Sequence, residues 1–274
     1  MKMAVKWKIF ALPFIAGFLA FYVLPFGQSV YYSLIESAFR HKFVGLTNYQ
    51  AVLTNEYYQL AMTNTFEFTL ISAILLVLLS LFLSLTLHAS GDRVGKLRIA
   101  LIMPMLLPSA AVIPIFKQLF PQNVLYRLMQ EWRFQHLLRI PIILLFLWKN
   151  TGYNIILLTA ALSLIPREVN EAAALDGSQG PQKLLNVTLP MIAPTLFFVA
   201  IMSVVQSLRV FKETYLLYGS YPDPSIYLVQ HYMNNHFAKL NYQNLTAGAI
   251  LFALPAGFVI AGYYRLERRW METP

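Results

Sequence analysis

The sequence predicts an all-α integral membrane protein with six transmembrane helices, and three observations carry that expectation. First, 58% of the residues are apolar, 12% are charged and the mean hydropathy is +0.56, whereas a soluble domain carries roughly 25% charged residues. Second, the apolar residues gather into uncharged runs close to the roughly 20 residues that cross a 30 Å hydrocarbon core at 1.5 Å per residue. Third, lysine and arginine sit mainly at the ends of those runs, where they anchor helices. The net charge of +9 therefore sets topology and does not mark a nucleic-acid partner. The absence of cysteine excludes disulfides, cysteine metal sites and thiol nucleophiles.

In chain order, Lys2, Lys6 and Lys8 precede an uncharged run from Ile9 to Ile35 interrupted by Pro13 and Pro25, which is the first span (9–35). A positive tail before an apolar run also describes a secretory signal. A run of 27 uncharged residues exceeds the roughly 7 to 15 of a signal core, and no small-x-small cleavage site follows, so the segment is expected to stay attached. Residues 36–67 are mixed and polar and read as an extramembrane connection with room for a short surface helix. The second span, 68–87, holds twenty uncharged residues.

A tight basic loop, His88 to Arg98, follows. Its Gly91 to Lys96 run glances at a nucleotide-binding P-loop, but three residues separate the glycines where four are needed, and Leu97 stands where a magnesium-binding Ser or Thr should be. ATP binding by that loop is excluded. The third span (99–116) carries Pro104, Pro108 and Pro114 and is expected to be a kinked cavity wall. Residues 117–139, with Arg127, Trp132 and Arg133, suggest an interfacial helix.

The fourth span (140–165) is unusual in holding Lys149, Asn150, Thr151 and Asn154. The fifth (189–208) and sixth (246–264) are uncharged apart from flanking groups, and a long tyrosine-rich connection, Phe211 to Leu245, lies between them. The whole chain, 1–274, reads as one transmembrane domain.

Six spans place both termini on one side. The tails and the 88–98 and 167–183 loops hold 11 Lys and Arg, against 9 in the opposite loops. The 11 occupy about half as many residues and cluster against helix ends, where the positive-inside bias is strongest. Both termini, and the 166–188 loop with them, are expected to be cytoplasmic.

That loop, with EAAALDGSQGPQKLLNVTLP running on from Glu171 to Pro190, is the most informative stretch. Two glycines, a proline and three carboxylates (Glu168, Glu171, Asp176) cannot lie in hydrocarbon at tolerable cost, so it sits in water or against another protein. Pro166 suits a helix N1 position, Glu168 and Glu171 complement the positive end of the helix dipole, and Gly177 is placed as a left-handed stop. A helix of about three turns is expected, slim along Ala172 to Ala174, with Ser178 and Pro190 opening new helical segments. On local pattern alone, an ordinary amphipathic loop helix and a docking helix fit equally well.

Glu171-Ala172-Ala173, then Gly177 after three residues, then Val187-Thr188-Leu189-Pro190 after nine more, resembles the EAA motif of the membrane subunits of binding-protein-dependent ABC importers, with Val187 in place of the usual Ile. FVGLTNY (43–49), MTNTFEFT (62–69) and LSLIPREVNEAAALDG (162–177) resemble the carbohydrate-uptake permeases of the maltose and glycerol-3-phosphate kind. FVGLTNY points to the first of the two unlike permeases that such systems usually pair. Asp-Gly-Ser replaces the usual Asp-Gly-Ala, and residues 120–148 match the pattern poorly.

The resemblance implies a permease of the type I ABC importer kind in the bacterial cytoplasmic (inner) membrane, moving a sugar or oligosaccharide inward. It implies a coupling helix seated in a cytoplasmic ATPase, with Glu171 making polar contacts in the cleft, Ala172 and Ala173 allowing close packing, Asp176 beside them and Gly177 permitting the turn. The implied partners are a second homologous permease subunit, a dimer of cytoplasmic ATP-binding subunits and an extracellular or periplasmic substrate-binding protein, all at the lipid bilayer. ATP and Mg are then used by the partner, and this chain carries neither a cofactor nor catalysis.

Lys149 lies about nine residues, roughly 13 Å, into its span, and an uncompensated charge there costs several kcal/mol. It should face protein or a watery cavity. Asn150, Tyr153 and Asn154, with Gln206 on the fifth span, are the candidate substrate path, since amides and aromatic rings suit sugar hydroxyls and faces. A cationic Lys149 in that path would favour an acidic sugar. The competing reading has Lys149 snorkelling and the amides holding helices together. A secondary transporter would show paired buried carboxylates and internal repeats, and an intramembrane enzyme a titratable or metal set at depth. Neither pattern is present in the spans. His231 and His236 have no third ligand nearby in sequence, so no metal site is assigned.

Overall fold

The computed structural model describes residues 11–37, 39–90, 95–132 and 137–272. The lysines of the first tail, Ile9, Arg133 and Gly91 to Val94 of the loop excluded from ATP binding lie outside them. Among the described residues the fold is helical, with one isolated β-bridge between Ile35 and Phe43. Among the described residues five helices are long and apolar enough to cross a membrane, and one bent pair makes six if counted as a single span.

The helices are α1 (Ala11–Ser33), α2 (Thr47–Leu53), α3 (Glu56–Ala89), α4 (Gly95–Leu106), α5 (Ser109–Leu119), α6 (Gln122–Trp132), α7 (Arg139–Ser163), α8 (Arg167–Leu175), α9 (180–207), α10 (Phe211–Tyr218), α11 (Val229–Ala238) and α12 (Tyr242–Glu272). They fall into two compact units: residues 1–62 with 228–257, and residues 63–227 with 258–274.

The third span is not a kinked helix. α4 and α5 meet at 104°. Leu107 and Pro108 between them are extended, with ψ of 131° and 136°, because the ring of Pro108 drives the residue before it out of the helical region. Pro104 sits in the 3₁₀ turn that ends α4, and Pro114 stays inside α5.

The fifth span also differs from expectation. Pro190 does not open a helix, and α9 begins at Gly180. A π turn, Leu184–Thr188, lets the helix pass Pro190, with the Leu189 N–H donating to the Leu184 carbonyl. The same device occurs in α1, where Leu19–Val23 is a π turn ahead of Pro25 and the Leu24 N–H donates to the Leu19 carbonyl. Widening the turn moves backbone away from a ring that would otherwise clash and supplies no donor.

In the first unit the FVGLTNY residues build one connection. Gly45 takes a left-handed φ of +59°. Asn48 donates to the carbonyls of Ser33 (3.0 Å) and Ile35 (2.8 Å), and the Tyr49 and Ser33 hydroxyls lie 2.7 Å apart. The Tyr58 hydroxyl donates to the Gly248 carbonyl (2.9 Å), and its ring meets Tyr232 edge-on at 5.1 Å. Residues 36–67, expected outside the membrane with room for a surface helix, hold α2 and the first turns of α3.

In the second unit Leu158, Leu162, Ile192 and Val199 form a core against Val77, Leu81 and Leu85, joining α3, α7 and α9. Helix α4 lies so close to α7 that a Cβ on Gly152 would come 2.8 Å from the Ile102 Cα and from the Leu101 carbonyl oxygen.

Candidate functional site: the 166–188 loop and the polar cluster of α7

The loop between α7 and α9 is shaped by its own backbone chemistry. Pro166 is extended (ψ 145°) and stands one residue before α8 instead of at its first position. At the other end Asp176 caps the helix and Gly177 follows at φ +74°. The Gly177 N–H donates to the Ala174 carbonyl (3.1 Å) and the Ser178 N–H to that of Ala173 (2.9 Å). This is a Schellman closure, which satisfies two end carbonyls and requires a residue tolerant of positive φ. An added Cβ on Gly177 would meet nothing within 4 Å, so conformation and not space selects glycine here. Ser178 does not start the next helix; Gln179 precedes it, extended, and Gly180 (φ +55°) opens it.

Of the five predicted coupling residues, Glu171, Ala172, Asp176 and Gly177 are exposed. Ala173 is 6% exposed, so its small size fits α8 against its own chain instead of lying open on the surface. Two large apolar side chains stand free beside this face: Leu164 is 82% and Leu175 89% exposed. An acidic, slim helix flanked by bare leucines is suited to a protein cleft.

The predicted substrate-path residues divide differently. Lys149 is not an uncompensated charge. Its ammonium donates to the Ser109 hydroxyl on α5 and lies 3.3 Å from the Glu213 carboxylate on α10. Ser109 in turn donates to Glu213 (2.6 Å). Both charged side chains are 16% exposed. An acidic-sugar reading therefore cannot rest on a lone cation at Lys149.

Asn150 donates back to the Phe146 carbonyl of its own helix (2.7 Å), and Tyr153 is half-buried. Asn154 is fully buried and donates to the Ser203 hydroxyl on α9 (3.0 Å), which is the helix-bridging role of the competing reading. Its Oδ1, and the Oε1 of Gln206, are buried with no hydrogen-bond partner.

Sequence reasoning missed Glu213 because it lies beyond the fifth apolar run, in the stretch read as a connection. The usable signal was stoichiometric: a lysine at depth needs an acid, and few of the 12 acids adjoin apolar runs. A second missed cluster centres on Arg139, 7% exposed. It donates to the Glu67 carboxylate (2.6 Å), the Asn64 side-chain carbonyl (2.7 Å) and the Ser225 carbonyl (2.7 Å). Asn64 also donates to the carbonyls of Pro224 and Tyr227. The MTNTFEFT residues thus tie α3 to α7 and to the turn after α10. Among the described residues no group of three or more His, Cys, Asp or Glu could hold a metal ion.

The fold and the site define a helical membrane protein with an exposed loop helix and a buried polar cluster, and its relatives supply the role. The chain belongs to the family of inner membrane components of binding-protein-dependent transport systems, matched over residues 95–272.

It is similar to the arabinooligosaccharides transport system permease protein AraP of Bacillus subtilis (strain 168), 30% identical over 224 residues, covering 77% of this chain and 71% of that protein. It is also similar to the sn-glycerol-3-phosphate transport system permease protein UgpA of Rhizobium meliloti (strain 1021), 30% identical over 270 residues, covering 92% and 91%. The fold matches a chain in the crystal structure of a bacterial ABC transporter involved in the import of the acidic polysaccharide alginate. That match has a TM-score of 0.79 at 21% identity and covers 100% of this chain and 98% of that one. The fold is that of a type I ABC importer permease, and the chain is a transport permease of the inner membrane.

Proposed function

We propose that this chain is one permease subunit of an ATP-driven importer for a sugar or oligosaccharide, acidic members of the class included. The solute class is supported by the relatives, above all the arabinooligosaccharide permease. A second reading, a non-sugar solute, has its own support in the relatives named for sn-glycerol 3-phosphate.

The observation that carries the mechanism is the exposed α8, closed by Gly177 and flanked by Leu164 and Leu175. In this reading α8 seats in a cytoplasmic ATPase dimer. Glu171 and Asp176 make polar contacts, Ala172 allows close approach, Ala173 sets the helix on its own chain and Gly177 holds the turn. ATP is hydrolysed on the partner, which uses Mg. A second homologous permease completes the path, an outer binding protein delivers the solute, and both termini are cytoplasmic. Lys149, Asn150, Tyr153, Asn154 and Gln206 border the path, with the first paired to Glu213.

The test is uptake into vesicles carrying this chain with its partner permease, with and without the separate ATPase and binding protein, using arabinooligosaccharides and sn-glycerol 3-phosphate as probes. Uptake only when ATPase and ATP are both present supports the reading. Uptake by the membrane chains alone, driven by an ion gradient, overturns it.

A further inference from the structure

We propose that the hairpin tip Phe39–Phe43 is an interfacial anchor, which seats its two phenylalanine rings among lipid acyl chains at the membrane edge and Arg40 and Lys42 on anionic phospholipid headgroups.

The tip is placed by the end of the first span. The uncharged run of α1 stops at Ile35 and Glu36 is the first charge after it, so the hairpin begins where hydrocarbon gives way to headgroups. The Ile35–Phe43 bridge fastens it there, with the Val44 N–H donating to the Leu34 carbonyl (2.9 Å) and the Glu36 N–H to the Lys42 carbonyl (2.8 Å). Phe39 follows Ile35 by four residues, which keeps it within about 14 Å of the bridge and close to the surface of the bilayer.

The tip is also ordered in advance. His41 has a φ of +49°, a left-handed conformation that residues other than glycine adopt at a cost. Tyr31 of α1 holds it, with the two rings stacked at 6.2 Å and the Tyr31 hydroxyl 3.4 Å from Nδ1. The His41 N–H donates to the Ser37 carbonyl (3.1 Å) and the Arg40 N–H to the Ser37 hydroxyl (3.1 Å). A segment already fixed in this way gives up little conformational freedom when it binds.

Its surface interleaves bare apolar groups with charge. Phe39 is 95% exposed, and Phe43 and Leu46 are each 71% exposed. Arg40 and Lys42 stand between the two rings in sequence and are exposed as well. Glu36 lies 3.7 Å from Arg40 and offsets one of the two cations. An exposed pair of that kind is worth little, so the guanidinium is free to turn to a phosphate. Aromatic rings beside lysine and arginine at the end of a span are the composition of a membrane interface, whereas the core of a protein–protein interface is depleted in lysine. No residue in the apolar stretch of α1 is buried, so exposed apolar surface runs along the span up to the hairpin.

The chain has no cysteine. Phe39 touches so little of its own chain that Phe39→Cys is expected to leave the fold intact, and Phe43→Cys is the second reporter. A nitroxide label on either thiol is apolar and close in size to the ring it replaces. Electron paramagnetic resonance follows it in nanodiscs holding the chain with its partner subunits, comparing collisions with oxygen, which dissolves in lipid, and with a water-soluble nickel chelate. In discs of phosphatidylethanolamine and phosphatidylglycerol the embedded position is expected to outweigh the free one by about tenfold or more, as burial of a phenylalanine-sized group requires. Arg40→Gln and Lys42→Gln are each expected to lower that ratio about fivefold, and exchange of phosphatidylglycerol for phosphatidylcholine lowers it in the same direction. A label as open to the nickel chelate as one in free water overturns the anchor. Shielding from both agents also overturns it and gives the tip to a protein partner. A ratio that neither the substitutions nor the lipid exchange alters overturns the headgroup contact.

Discussion

Gly152→Ala is expected to destabilise the protein, although alanine is the better helix former. Gly152 lies inside α7, where Gly to Ala gains about 0.5–1 kcal/mol in the absence of contacts. Here the new Cβ would lie 2.8 Å from the Ile102 Cα and 2.8 Å from the Leu101 carbonyl oxygen, with the Ile102 carbonyl oxygen at 3.3 Å. Carbon–carbon contact is optimal near 3.5–4.0 Å, so α4 must move away by several tenths of an ångström or more. All three clashing atoms are backbone and cannot swing aside. Overpacking of this kind costs about 1–3 kcal/mol, which outweighs the helical gain and leaves a net loss of about 1–2 kcal/mol. Gly262→Ala is the matched control, because a Cβ there meets nothing within 4 Å, and stability should be unchanged or slightly raised. Thermal inactivation of the detergent-solubilised complex, followed by size exclusion, reads both. Equal or greater stability in Gly152→Ala would refute the close approach of α4 and α7.

Other substitutions test the polar clusters. Lys149→Met strands a mostly buried carboxylate with Ser109 as its only named donor and should cost about 2–4 kcal/mol, while adding Glu213→Leu recovers most of it; a double-mutant cycle in thermal stability reads the coupling. Arg139→Ala leaves Asn64 and the Ser225 carbonyl short of a partner and should cost about 2–3 kcal/mol, with Glu67 contributing little because it is about half exposed. Tyr58→Phe removes the bond to the Gly248 carbonyl and should cost about 1 kcal/mol.

Burial pushes the His231 imidazole down to about 4 and lowers His236 as well, the latter with help from Lys239. The unfolded chain then binds more protons below about pH 6.5. Stability from His231 is full above that pH and is lost as pH falls toward 4, by up to about 3 kcal/mol. His231→Gln should flatten that part of the stability–pH curve, and an unchanged slope would refute the assignment.

Much of the fold was legible because hydrocarbon imposes a simple rule on sequence: uncharged runs of fixed length become helices. The boundaries were less legible where proline was involved. Pro108 broke a span by forcing Leu107 extended, yet Pro25 and Pro190 were absorbed by π turns, and no local residue pattern distinguishes the two outcomes. In the loop, Gly177 was readable because the left-handed stop depends on that residue alone. The inward turn of Ala173 was not, because it depends on which face of α8 meets its own chain. The Lys149 environment was half legible: depth demanded protein or a watery cavity around it, but Glu213 comes 64 residues later in the chain and only tertiary packing brings it near. The Arg139 cluster was hidden for the same reason, since Glu67 and Ser225 reach it from opposite directions in sequence.

Loss of coupling in Gly177→Asp tests the central claim most directly. Aspartate at φ +74° costs roughly 1–2 kcal/mol, too little to unfold the chain, and it places a charge on the face proposed to enter the ATPase. The variant should insert and assemble with its partner permease, fail to retain the ATPase on purification and show uptake at background. Wild-type uptake with the ATPase still bound would contradict a coupling role for the 166–188 loop.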